Sequence, residues 1–556
     1  MADVNGGYLI MKTLSEAGVT HLFTIVGGHN FEIVDACQDL GIQVTDVRHE
    51  QQAAHMADAM TRYTRQPAVV AIDGAPGLVN AFPGIQVAFE SQVPIIVLTG
   101  QGSMIGRDIG VMQAIDQLEL VRPITKWRRT CFDMKRLPEY ASMAVREATT
   151  GRPGPVFLDA PLEIIRGKID EDLAPIPKNY RTQARAHGDP ALVEQAIELL
   201  TSAQRPLIVA GSGVWWSHAE EELRALSTML GIPVMCRNMA RGIIAEDDPL
   251  GAGFLPTSAA GADVYLIVGT RLDWTIGFGR PPLFDPSAKA IQIDIAAEKI
   301  GKNRAADIGI HGDAKAVLSQ MIAIAQKQKS KGVADAWRAK HKGTTAAMRA
   351  GMFQQYGLAE RSADQPLHSI QLVQALAAEL PRQARLVVDG GYIAAFGLQY
   401  TDAFTPGGIV WVGSTGHLGV GVSFAAASRL AEPDRPVVAL MGDGSFGLSG
   451  IEFDTAVRHG LPIVVVIAND AGWGEVRDGQ RRRYGNERVV GTNLSATRYD
   501  ELARALGGHG ELVKTADELG PALRRCLDAK KPSIINVLTD PNQRSLLVTG
   551  MPWPIE

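Results

Sequence analysis

Two aspartates bracket the stretch GDGSFGLSGIEFDTAVRHGLPIVVVIAND, which runs from Gly442 to Asp470. Asp443 lies in a glycine turn that closes one apolar run, PVVALM, and Asp470 closes the next, LPIVVVIA. Runs of this kind are strands buried in a parallel sheet. The glycines beside Asp443 permit unusual backbone angles and the close approach of a ligand. Between the strands, SGIEFDTAVRHG predicts an amphipathic helix that offers Ile451, Ala456 and Val457 to the sheet and stops at Gly460. A right-handed crossover then brings both carboxylates to one edge of one sheet. Two such oxygens with a backbone carbonyl nearby suit Mg²⁺, which completes its octahedron with phosphate oxygens and water. A metal-held phosphate is the chemistry this spacing predicts. A GDG taken alone would be read as a tight turn.

These residues need sheets to hold them. A chain of 556 residues is too long for one core, so three domains are expected. Short Val, Ile and Leu runs alternate with helical patterns, which predicts an α/β protein of three doubly wound parallel-sheet domains. The first, residues 1–165, has HLFTIVGG, QVTDVRHE, PAVVAIDGAPG and VPIIVLTG as strands, each ending in residues suited to a ligand. A central Rossmann-like domain, 190–328, follows with RPLIVAGSG, PVMCRN, VYLIVGTRL and KAIQIDI. The third, 368–540, has RLVVDGG, PVVALMGDG, LPIVVVIAND and PSIINVLTD. IRGKIDEDLAPIPKNYRTQARAHGDP is expected to be a linker, and AIAQKQKSKGVADAWRAKHKG to form exposed helices. A net charge of −5 offers no bulk attraction to nucleic acid or to an anionic membrane. The longest apolar runs are strand-length, far short of a bilayer span. Four dispersed cysteines have no metal-type spacing and read as thiols of a reducing compartment. The opening MADVNGGYLIMKTLSEAG lacks a basic segment followed by a long apolar one, so a cytoplasmic protein is expected.

The GDG-to-ND span closely resembles the diphosphate-binding motif of thiamine diphosphate (ThDP) enzymes, with Asp470 where a second Asn is usual. The resemblance implies Mg²⁺ held by Asp443, Asp470 and the Gly472 carbonyl, and a cofactor held by Gly442, Asp443, Gly444, Ser445 and Asp470. It makes the first domain pyrimidine-binding and the third diphosphate-binding. VRHEQQAAHMADAMTR resembles the family's catalytic-glutamate motif, so Glu50 would bond the aminopyrimidine ring, whose imino nitrogen then removes the thiazolium C2 proton. A desolvated Glu50 would share that proton; the alternative is a capping glutamate or one paired with Arg48. GSTGHLGVGVSFAAA resembles the segment whose apolar residue, here Leu418, bends the cofactor. The glycines of DGGYIAAFG, with Gly390 and Tyr392, would cradle the diphosphate from the other side. By the same resemblance the cofactor lies between two subunits, making a homodimer the minimum and a homotetramer the expected assembly.

Local stretches narrow the reaction. GTRLDWTIGFGRPPLFDP and KPSIINVLTDP resemble 2-hydroxyacyl-CoA lyase and oxalyl-CoA decarboxylase. This implies an acyl-CoA substrate and an ADP or CoA nucleotide at the central domain, near Arg271 and Asp294. Arginine suits a phosphate and aspartate a ribose hydroxyl, although the two residues would equally make a structural pair. HLFTIVGGHN and MQAIDQ resemble benzaldehyde lyase instead, placing His29 and Gln113 in the active site. Glu475 departs from that enzyme's small residue; facing the pocket, it would deprotonate a substrate hydroxyl, and otherwise it would pair with Arg477. Arg481, Arg482 and Arg483 suit CoA phosphates or a solvated face. The tail, 541–556, resembles the lid of acyl-CoA-using relatives. The expected reaction is cleavage of a 2-hydroxyacyl-CoA to an aldehyde or ketone and formyl-CoA, reversible as a carboligation. A CoA-independent 2-hydroxyketone lyase and an acetolactate-synthase-like decarboxylase are the rivals.

Overall fold

Three separate parallel sheets run through the chain, and the first and third share one strand order. The computed structural model describes residues 3–106, 108–328, 335–361 and 365–543. Within them, contacts divide the chain into two compact units. One comprises Met1–Gln183, Thr415–Asp434 and Ser449–Pro462; the other comprises Ala184–Ser414, Arg435–Leu448 and Ile463–Glu556.

The first unit holds a six-stranded sheet in the spatial order Gln43–Asp46, His21–Thr24, Val69–Ile72, Ile96–Gln101, Val156–Pro161 and Trp127–Thr130. All its pairings are parallel. The chain moves outward from His21–Thr24 in one direction, then crosses back to add Val69–Ile72 on the other side. The carboxyl ends of these two strands therefore flank a topological switch point, where an open α/β sheet forms its crevice.

The second unit holds two sheets. One has five strands in the order Val234–Cys236, Pro206–Ala210, Val264–Val268, Lys289–Asp294 and Ile308–His311. The other has six, in the order Ile409–Val410, Arg385–Asp389, Val437–Gly442, Val464–Asn469, Ser533–Leu538 and His509–Val513. Its switch point falls between Arg385–Asp389 and Val437–Gly442. Val464–Asn469 is buried at every position, which is why it reads as an unbroken apolar run rather than an alternation.

The strands missing from the sequence reading lie mainly at sheet edges or are short. Trp127–Thr130 and His509–Val513 are edge strands carrying charged or polar residues, so no apolar run marks them. The expected linker contains Lys168–Asp170, which pairs antiparallel with Asp3–Asn5. The expected exposed helices include Asp335–Gln355, yet Trp337 and His341 on it are buried. The Trp337 indole donates to the Pro206 carbonyl at 2.8 Å, and His341 stands edge-on to its ring. Ile451 is 53 % exposed rather than turned to the sheet. The segment there is a 3₁₀ turn, Gly450–Glu452, followed by the short helix Phe453–Arg458, and Phe453 takes the core position instead. The tail from 544, which carries the expected lid, lies outside the described residues. Among the described residues no helix is long and apolar enough to cross a membrane.

Candidate active site

In the second unit, the turn after Val437–Gly442 places Asp443 at the first position of a short helix, Asp443–Gly447. Asp470 follows the neighbouring strand Val464–Asn469, so adjacent parallel strands deliver both side chains to one edge. Asp443 and Asp470 are both buried. Burial first, and then the Asp443 charge, pushes the Asp470 carboxyl up to about 7. Asp443 is raised too, chiefly by burial. Two carboxylates forced together out of water form a site that a hard dication neutralises. Among the described residues no group of three His, Cys, Asp or Glu side chains forms a metal cage. A cation here would therefore need backbone, phosphate or water oxygens beside the two aspartates, which is the habit of Mg²⁺. Gly472 contributes its N–H to the Asp443 Oδ2 at 2.9 Å.

Arg477, the alternative partner for Glu475, belongs to Asp470. Its guanidinium donates to the Asp470 carboxylate and carbonyl, both at 3.0 Å, and is itself buried. Asn469 is a scaffold residue, bonded to Thr497 and Asn536. Breaking one side of a buried ion pair strands the other charge, at a cost of about 3–5 kcal/mol. Arg477→Met is accordingly expected to lower the stability of the metal-free protein by about that much in denaturant titrations; an unchanged midpoint would show the pair to be neutral.

The opposite wall of this switch point is Gly390–Gly391. Gly390 has φ 134°. A Cβ on it would lie 2.8 Å from Ile393 and 3.2 Å from the Gly442 backbone nitrogen. A Cβ on Gly391 would collide with the Glu475 carboxylate, and one on Gly444 would lie 2.7 Å from the Trp473 ring. Side chains are thus excluded where a phosphate would approach the backbone. Ser445 is buried beside them. Glu475, on the helix Gly474–Tyr484, is half-buried, and burial raises its carboxyl against the opposing charge of Arg482. Tyr392 opens the helix Tyr392–Tyr400; burial, then the neighbouring Asp478 carboxylate, holds its phenol far above the usual range. Its backbone N–H, at the helix start, is the group suited to an anion.

In the first unit, Glu50 begins the helix Glu50–Thr64, capped by the His49 side chain. Glu50 is half-buried rather than fully desolvated and accepts from the Asn80 amide at 3.0 Å. It forms no ion pair with Arg48 among the described residues; Arg48 pairs with Asp454 at 3.8 Å, and its N–H is held by buried Glu452. Leu418, half-buried, follows His417, whose ring meets the Gln51 amide at 2.9 Å. His29 is buried at the sheet's switch point against Asp73. A Cβ on Gly74 would lie 3.2 Å from His29 Nδ1, and one on Gly77, in the first turn of the helix Pro76–Ser91, would lie 3.4 Å from Glu50 Oε1, so the segment after one strand borders both residues. Gln113 is half-buried with φ 63°, whereas Gln117, which sequence reasoning passed over, is buried. Its amide donates to the Gly100 carbonyl and Asp159, and its oxygen accepts from the Ala75 N–H.

On the central sheet, Arg271 donates to Ser414 at 2.9 Å and lies 3.7 Å from Asp273. Asp294 ends its strand and accepts from the Ala296 N–H. Arg482 is paired with Asp478, and Arg481 reaches the Pro541 carbonyl.

Residues 4–120 match the family described as thiamine pyrophosphate enzyme, N-terminal TPP binding domain; 193–321 match its central domain and 389–537 its C-terminal TPP binding domain. A probable acetolactate synthase of Mycobacterium bovis is 36% identical over 545 residues, covering 97% of this chain and 96% of the relative. The chain belongs to the thiamine pyrophosphate enzyme family. Within this family it is also 31% identical to the 2-hydroxyacyl-CoA lyase of Arabidopsis thaliana over 563 residues, covering 97% and 96% of the two chains. Human 2-hydroxyacyl-CoA lyase 1 is 29% identical over 561 residues, covering 97% and 95%. The paired carboxylates and the side-chain-free turns around Gly390 and Gly444 fit the diphosphate of ThDP with Mg²⁺, ThDP being the same coenzyme as thiamine pyrophosphate.

Proposed function

We propose that this chain is a ThDP- and Mg²⁺-dependent carbon–carbon lyase that cleaves a 2-hydroxyacyl-CoA into an aldehyde or ketone and formyl-CoA, and that it runs in reverse as a carboligase. When bound, ThDP supplies an electron sink for the pair left on carbon as the bond breaks. Asp443 and Asp470, with the Gly472 carbonyl, would hold Mg²⁺ against the diphosphate. Gly390, Gly442, Gly444, Ser445 and the Tyr392 N–H would meet the phosphate oxygens. Glu50, steadied by Asn80, would exchange a proton with the pyrimidine ring, and Leu418 would support the ring system. Glu475 or His29 would take the proton from the substrate 2-hydroxyl, with Gln113 near the reacting atoms. Arg271 and Asp294 would meet an ADP or CoA nucleotide. The active assembly would be a homodimer at minimum, and a homotetramer in full.

The observation that carries this reading is Glu475, a half-buried carboxylate packed on Gly391 in the glycine turn that faces Gly442. An acidic group there suits proton exchange with the reacting substrate and disfavours an anionic 2-oxo acid, which a like charge repels. The acetolactate synthase likeness favours that second reading, a 2-oxo acid decarboxylase. His29 favours a third, a CoA-independent 2-hydroxyketone lyase. Incubation with ThDP, Mg²⁺, formyl-CoA and a panel of aldehydes and ketones separates them by product mass. A CoA-linked hydroxyacyl product is expected. Acetolactate from pyruvate, or benzoin chemistry without any CoA-linked product, would replace the proposal.

A further inference from the structure

We propose that Asp73 positions His29, fixing its ring proton on Nδ1 so that Nε2 is the atom that accepts the substrate 2-hydroxyl proton. This rests on the reading above only in placing His29 against substrate; the dyad itself is built into the first sheet. The strands His21–Thr24 and Val69–Ile72 are parallel neighbours on either side of the switch point, and the two residues lie just past their carboxyl ends. Asp73 Oδ1 accepts the His29 backbone N–H at 2.7 Å and lies 3.2 Å from its ring Nδ1. One oxygen thus bonds the backbone N–H and stands beside the ring of the same residue. The ring approach lies off the hydrogen-bond line, and Nδ1 is sealed from solvent without an aligned partner, so a carboxylate is its immediate neighbour.

Three glycines clear the space. A Cβ on Gly27 would lie 2.5 Å from the Asp73 carboxyl carbon, one on Gly100 would lie 2.8 Å from the His29 Cβ, and one on Gly74 would crowd Nδ1. They come from three different strand ends. Asn30 laces the loop down, donating to the Ile25 and Ala71 carbonyls and accepting from the Gly27 N–H. Arg166 donates to the Gly28 carbonyl and pairs with Glu32. Charged groups near the dyad among the described residues thus include Arg166, Glu32, Glu50 across Gly77, and Asp159 through Gln117.

A carboxylate beside Nδ1 favours the tautomer with hydrogen there and leaves the lone pair on Nε2. His29 is then an acceptor, and Asp73 stabilises the imidazolium formed when the substrate O–H bond gives its proton to Nε2. The proton returns to the same oxygen in the carboligation direction. The choice between His29 and Glu475 is thereby made, and Glu475 is left to protonate the one-carbon product before release.

Nitrogen-15 NMR of histidine-labelled protein loaded with ThDP and Mg²⁺ tests this, the His29 signal being assigned by its loss in His29→Gln. Wild-type His29 is expected in the Nδ1–H form, with Asp73→Asn shifting it toward Nε2–H. Turnover should fall roughly 10- to 100-fold in that variant with ThDP affinity unchanged, a share of the effect of general base catalysis. Partial recovery is expected in Asp73→Glu. A wild-type Nε2–H form, an unmoved tautomer in Asp73→Asn, or a moved tautomer with unchanged turnover would each overturn the proposal. The wild-type spectrum decides even where a variant fails to fold. Absence of any CoA-linked product from wild-type protein would count instead against the assigned reaction.

Discussion

Glu475→Gln is expected to reduce lyase turnover by about 10²- to 10⁴-fold, the range over which a positioned proton carrier contributes. The amide keeps the shape that packs against Gly391 but neither gives up nor takes on a proton at any working pH. Burial already raises the Glu475 carboxyl, so the native group holds its proton further up the pH scale than a solvated glutamate. Because the change leaves Asp443, Asp470 and the glycine turns in place, ThDP with Mg²⁺ should raise the melting temperature of the variant as much as that of the native protein. Turnover within a few-fold of native would remove Glu475 from the chemistry.

Asp443→Ala addresses the cofactor itself. Asp443 is almost fully buried and supplies one of two adjacent carboxylates, so its loss removes half the charge offered to a dication. A ligand that binds only the folded protein at a hundred times its dissociation constant adds about 2.7 kcal/mol of stability. That increment, read as a thermal shift on adding ThDP and Mg²⁺, is expected in the native protein and absent in Asp443→Ala. The variant without cofactor should be no less stable than its parent, since it removes a carboxylate whose burial is unfavourable and whose charge, after burial, raises Asp470. An undiminished shift would place the metal elsewhere.

The three sheets and the Asp443–Asp470 edge were legible in the sequence because each depends on local signals. Apolar runs mark central strands, glycines mark the turns after them, and the crossover rule sets the edge on which their ends meet. Glu50 and Leu418 were reached through motif resemblance, which also operates on contiguous residues. Tertiary structure alone decided the partners. Arg477 is only two residues from Glu475, yet it turns to Asp470, because on a helix positions two apart face away from each other. Gln117 rather than Gln113 is the buried glutamine, since its amide meets groups drawn from the separate segments around Ala75, Gly100 and Asp159. Asp73 carried no signal at all: its meaning comes from His29, 44 positions earlier and brought alongside by strand pairing. Secondary structure is written in short-range periodicity, whereas the surroundings of a carboxylate are set by whichever distant strands the sheet makes neighbours.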